Sequence, residues 1–210
     1  MHKNKYILFV LIVMSFTILV SCSSNLEGIT DTSERKIGKQ IEKIVEGIPY
    51  AQERAEEWRE NLKLNYINAV FIGKESINSG KGKITYYFYE ENAKKNLDCS
   101  AEVYIDMNKN GITQFSSQYG TGKELIGSSN LLDTKEWTKD IDEVFKIAEG
   151  EIGVNTIEKY DNPKIVLRCT EKFWEYALFS NSDAAHEDWL VIVNPITGEV
   201  IRKVDKTKID

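Results

Sequence analysis

Two stretches of period-two alternation, each preceded by a helical pattern, constrain this chain more than any other feature. Alternation of that kind fits half-buried strands and does not fit helix. Tyr66–Ile72, Lys83–Tyr89, Ser100–Met107 and Ile112–Gln118 read as four strands, with Asn108-Lys109-Asn110-Gly111 as the turn before the last of them. Asn110-Gly111 is a strong tight-turn signal. Later in the chain the order returns. Ile141, Val144, Phe145, Ala148 and Ile152 form one helical face closed near Gly153, and four strand-like runs follow: Lys164–Cys169, Phe173–Phe179, Asp188–Val193 and Glu199–Val204. Asn194-Pro195-Ile196-Thr197-Gly198 holds the place that the Asn-Gly turn holds in the first half. The recurrence predicts an α+β chain of two small units, each an amphipathic helix packed on an antiparallel sheet of three to four strands.

The remaining segments divide the chain further. Ile37, Ile41, Ile44, Val45 and Ile48 recur at spacings of three and four, which predicts an amphipathic helix over 33–48, limited by Gly47 and Pro49. Ala51, Ala55, Trp58 and Leu62 continue a helical face beyond it. The first unit spans 49–120, a polar and Gly-containing linker 121–137, and the second unit 138–210. Hydrophobic residues make up 41% of the chain and aromatic residues 10%, enough for a real core. The net charge of −6 argues against a nucleic-acid partner and against electrostatic attraction to an anionic membrane. Cys99 and Cys169 share strand parity with apolar neighbours, so two buried thiols are expected, a bridge between them being the alternative.

The amino terminus has a different character. Lys3 and Lys5 precede an apolar run from Tyr6 to Val20 that is short for a spanning helix, and Leu19, Ser21 and Cys22 close it. This resembles the bacterial lipobox. The resemblance implies a lipoprotein signal peptide over 1–21, cleavage between Ser21 and Cys22, lipid on Cys22, and a polar tether over 22–32. An uncleaved anchor, or an ordinary signal with an incidental cysteine, is the competing reading. Either way the chain is expected on the extracytoplasmic face of a bacterial cell membrane. Ser23, where Asp would retain a lipoprotein, is compatible with an outer membrane if the cell has one.

Val191-Ile192-Val193-Asn194-Pro195-Ile196-Thr197-Gly198-Glu199-Val200 resembles the ending of the PepSY domain: an apolar strand, Asp or Asn, a Thr-Gly turn and another apolar strand. The match covers roughly Thr138 to Asp205, with Val144–Ala148 and Phe173-Trp174 standing where that family has its helix and middle strand. The resemblance implies that the first half, from Tyr50 to Gln118, is a divergent second copy whose Asn-Gly replaces Thr-Gly and whose Gly73 to Gly82 insertion departs from the pattern. The resemblance implies a small extracytoplasmic module that binds or restrains a peptidase or another envelope protein, with no catalytic residues and no cofactor. Asn110, Gly111, Thr197 and Gly198 are structural turn positions in this reading.

Motifs for chemistry are incomplete. His186 is the one histidine after the signal and lies in a polar loop, which reads as an exposed side chain. Gly120-Thr121-Gly122-Lys123 lacks the first glycine and the hydroxyl of a phosphate loop. Asp106 to Gly111 begins like a calcium loop, but Ser117 stands where the closing glutamate belongs. No metal or cofactor is therefore expected, and no enzyme activity. Trp58, Trp137, Trp174 and Trp189, with Tyr86, Tyr87 and Tyr89, are either core or a surface for cell-wall glycan or a small ligand. Binding of a protein partner, with strand addition at a sheet edge as one mode, is the leading expectation.

Overall fold

The computed structural model describes residues 28–90, 98–120, 132–153 and 155–207. All eight expected strands form, and two short ones precede them. They are β1 (Ile29–Asp31), β2 (Arg35–Lys36), β3 (Lys63–Ile72), β4 (Lys83–Glu90), β5 (Asp98–Asp106), β6 (Gly111–Gly120), β7 (Lys164–Cys169), β8 (Trp174–Phe179), β9 (Trp189–Val193) and β10 (Val200–Asp205). The helices are α1 (Ile44–Glu56), α2 (Gly73–Ser79) and α3 (Ile141–Ile152), with a 3-10 turn at Ile157–Lys159.

The expected pair of separate helix-on-sheet units is overturned. All ten strands join in one antiparallel sheet of order β1-β6-β5-β4-β3-β7-β8-β9-β10, with β2 also on β6, and strand accounts for 41% of the described residues. The junction is β3 with β7, paired from Ile67↔Cys169 to Ile72↔Lys164. These are the first strands of the two meanders, so the halves meet as a twofold axis normal to the sheet would relate them. Each is apolar on the buried face, Ile67, Ala69 and Phe71 against Ile165, Leu167 and Cys169. Left unpaired, either would be an exposed sticky edge; pairing removes both. One continuous core results, with Phe71 packed edge-on against Phe145 across the junction.

Among the described residues, helices cover one face only. α1 lies against β4, β5 and β6, and α3 against β8 and β9. Pro49 and Gly47 sit inside α1 where the sequence suggested its end. Proline forfeits one backbone hydrogen bond, whereas Gly47 is required by packing: a Cβ there would lie 2.1 Å from the Tyr86 hydroxyl, which donates to the Ile44 carbonyl at 2.8 Å.

The helix expected over 33–48 begins only at Ile44. Ile37, Ile41 and Ile44 are all buried, so the spacing identified core residues correctly, but the chain delivers the first two from an irregular segment. The Ile37 N–H is used by the Asn110 carbonyl at 2.8 Å. The tether expected over 22–32 also ends early. β1 pairs with β6, and Asp31 forms a 3.0 Å ion pair with Arg54, a buried guanidinium that also binds Glu57 and stacks 4.0 Å from the Phe115 ring. Residues 121–131 of the expected linker lie outside the described residues; beyond them the Leu132 N–H bonds to the Leu64 carbonyl and Trp137 packs edge-on against Trp174.

Candidate functional site

The face of the sheet opposite the helices has no covering element among the described residues, and cross-strand register places its side chains in rows. One row runs Asp106, Lys83, Val70, Val166, Ala177, Leu190, Val204 across β5, β4, β3, β7, β8, β9 and β10. Five neighbours in it are apolar. Ile72, Lys164 and Phe179 form the row on one side. On the other side lie Tyr104, Thr85, Asn68, Arg168, Glu175, Ile192 and Arg202. Among the described residues helices protect only the opposite face, so two-sided burial by them does not explain this apolar stripe.

A polar aromatic patch adjoins the stripe. Tyr66 and Tyr87, directly paired between β3 and β4, stack at 4.0 Å with rings 11° apart. Burial raises both hydroxyls above the ordinary tyrosine range, and Arg168 opposes that shift. Tyr104 donates to Glu102, and burial again raises its hydroxyl. Arg168 is held by Glu175 at 3.3 Å. The three tyrosines stay protonated and neutral around neutral pH, so the patch offers hydroxyl donors and ring edges.

The sheet edges are poor templates. β10 carries a register break between Val200 and Arg202, with Ile201 55% exposed, and Lys203 reaches back to Glu151 of α3. Bulges and charges of this kind discourage strand addition. At the other end β1 is only three residues long.

The structure places the remaining sequence candidates elsewhere. Ser21 and Cys22 lie outside the described residues. Asn110, not Gly111, takes the left-handed conformation of its turn, at φ 49°. Gly198 has φ 78°, and its turn is held by the Asn194 side chain, which accepts from the Ile196 and Thr197 N–H groups. The same turn anchors the approach to α3, because the Pro195 carbonyl accepts from Thr138 and Lys139. Thr197-Gly198 is thus structural. Asp106 accepts from the Asn108 N–H as a hairpin residue does. His186 is exposed, and among the described residues no cluster of three metal-ligating side chains occurs. Cys99 and Cys169 are buried and no disulfide joins them.

Trp174 and Tyr86 are fully buried, while Trp58, Trp137 and Trp189 pack against the core from its rim. Trp137 also lines a groove of about 480 Å³ with Asp133, Glu136, Glu171, Lys172, Asn194 and Ile196. Sequence reasoning named Tyr87 but missed Tyr66, Tyr104 and the apolar row. Their common signal is the second parity of each strand, which gains meaning only once strand neighbours are known. Comparison with protein-family models, with curated proteins and with solved structures finds no match for this chain.

Proposed function

We propose that this protein is a lipid-anchored envelope protein of PepSY-like character that binds a protein partner through the helix-free face of its sheet. The reading is supported by one observation above others: the row Val70, Val166, Ala177, Leu190, Val204 on a face that no element covers among the described residues. Ala177 is buried between its neighbours, while Val70, Val166, Leu190 and Val204 keep part of their surface in water, and covering that remainder with a partner recovers a fraction of the roughly 1.5–3 kcal/mol that a fully exposed side chain would give, before the cost of association. The blunted β10 edge favours this face over strand addition. The lipobox resemblance supports attachment through Cys22, and the PepSY resemblance supports a peptidase as the class of partner.

The test pairs two substitutions. Leu190→Asp should abolish the cellular role while the chain stays folded by circular dichroism, since Leu190 is only partly buried and an aspartate there can keep contact with water. Cys22→Ala should release the protein from membranes. Full function in Leu190→Asp rejects the surface, and membrane retention of Cys22→Ala at unchanged mobility rejects the anchor.

The groove beside Trp137 supports a second reading, the binding of a glycan or small ligand, because an aromatic ring flanked by carboxylates and an amide is a common arrangement for polyhydroxylated ligands. Titration with cell-wall fragments should then change tryptophan fluorescence, and Trp137→Ala should abolish the change. A flat titration of the native chain excludes this reading.

A further inference from the structure

We infer that the occupant of the apolar row is an amphipathic helix of a partner protein that carries acidic residues at both ends. The inference rests on the proposed function and names the chemistry of its partner. The chain as a whole is acidic, yet the exposed charged residues that flank the five apolar members are cations: Lys83 on β4, whose neighbour in the row on β5 is the buried Asp106, and Arg202 beside the β10 end. Both are exposed, and neither enters an ion pair among the described residues. The other two cations on this part of the face are already engaged. Arg168 is paired with Glu175, and Lys164 donates to the Ser182 carbonyl while lying 4.2 Å from the Phe179 ring centroid.

Lys83 and Arg202 are five strand spacings apart, about 24 Å. A helix of about 16 residues has that length. An extended segment lying flat on a sheet face would leave its backbone groups unpaired against side chains, whereas a helix satisfies its own. Its apolar side would rest on Val70, Val166, Leu190 and Val204, with Ile72 as a half-exposed flank. Carboxylates at its two ends would meet the two cations.

The experiment uses the lipid-modified chain in phosphatidylcholine nanodiscs and three 16-residue helical peptides with one apolar face. The peptides differ only in carrying Glu, Gln or Lys at both ends. At low salt the Glu-ended peptide should bind about tenfold more tightly than the Lys-ended one, as two exposed ion pairs allow. The double variant Lys83→Gln, Arg202→Gln should erase that difference, and Leu190→Asp should abolish binding.

Equal affinity for all three peptides, lost in Leu190→Asp, overturns the inference about charge and leaves the binding face standing. No binding by any peptide overturns the inference; if Leu190→Asp also leaves cellular function intact, the proposed function falls with it. Two further outcomes overturn the inference. One is a dimer in sedimentation that Leu190→Asp dissolves, which makes a second copy the occupant. The other is binding to phosphatidylglycerol vesicles through these residues, which makes it a lipid surface.

Discussion

Asp140 closes the first turns of two helices at once. It is the N-cap of α3, accepting from the Ile141 N–H at 2.7 Å, while Glu143 reaches back to its own N–H at 3.1 Å. It also accepts from the Ile44 N–H of α1, whose own cap position, Lys43, supplies no side-chain bond. Burial nevertheless dominates and raises this carboxyl above its ordinary value of 3.8, against the lowering by Ile141, Ile44 and Lys43. The folded state therefore keeps a proton that the unfolded chain releases. This contribution favours the fold at low pH and is lost as pH rises through the raised pKa. Asp140→Asn keeps the capping oxygen without the charge. Its stability relative to the native chain should increase as pH is raised from 3.8, followed by denaturant melts at each pH. Asp140→Ala should cost about 1–2 kcal/mol, since two helices lose a cap. A native-minus-Asn difference that stays constant with pH would contradict the raised pKa.

The strands and α3 were legible in the sequence because each carries its period within a few residues: Ile165, Leu167 and Cys169 alternate, and Val144, Phe145 and Ala148 share a helical stripe. What was not legible is which strands are neighbours. Nothing in Ile67, Ala69 and Phe71 marks that strand as a partner of β7 rather than an edge, so the sequence suggested two sheets where there is one. The row on the open face was hidden for the same reason, its members coming from strands far apart in the chain. At the amino terminus, Ile37 and Ile41 imitated a helix because spacing reports burial and not the backbone that achieves it. The β3–β7 pairing has a direct consequence. Cleavage within 121–131 should leave the two fragments associated, unfolding in a single transition, because parting them would expose two apolar strand edges. Separation of the fragments on a sizing column without denaturant would mean that the halves are independent after all.

At the scale of the whole molecule, the proposed anchor and the proposed binding face fall at different places. Six residues separate Cys22 from Ile29, seven Cα steps that span at most about 25 Å even when fully extended. Lipid on Cys22 would thus hold the β1 end of the sheet close to the bilayer, while β10 lies eight strand spacings away, about 38 Å. The row from Val70 to Val204 belongs to the distant half, where a soluble or membrane-bound protein can reach it. The two helices are on the opposite face and have no part in this account of binding. The decisive measurement is photocrosslinking in intact cells, with a photoreactive residue placed in turn at Val166, Leu190, Glu53 and Lys146. The first two lie on the helix-free face, and the last two are exposed positions on α1 and α3. The account predicts one common adduct from Val166 and Leu190 and none from Glu53 or Lys146; an adduct confined to the helix side, or formed equally from both faces, would contradict it.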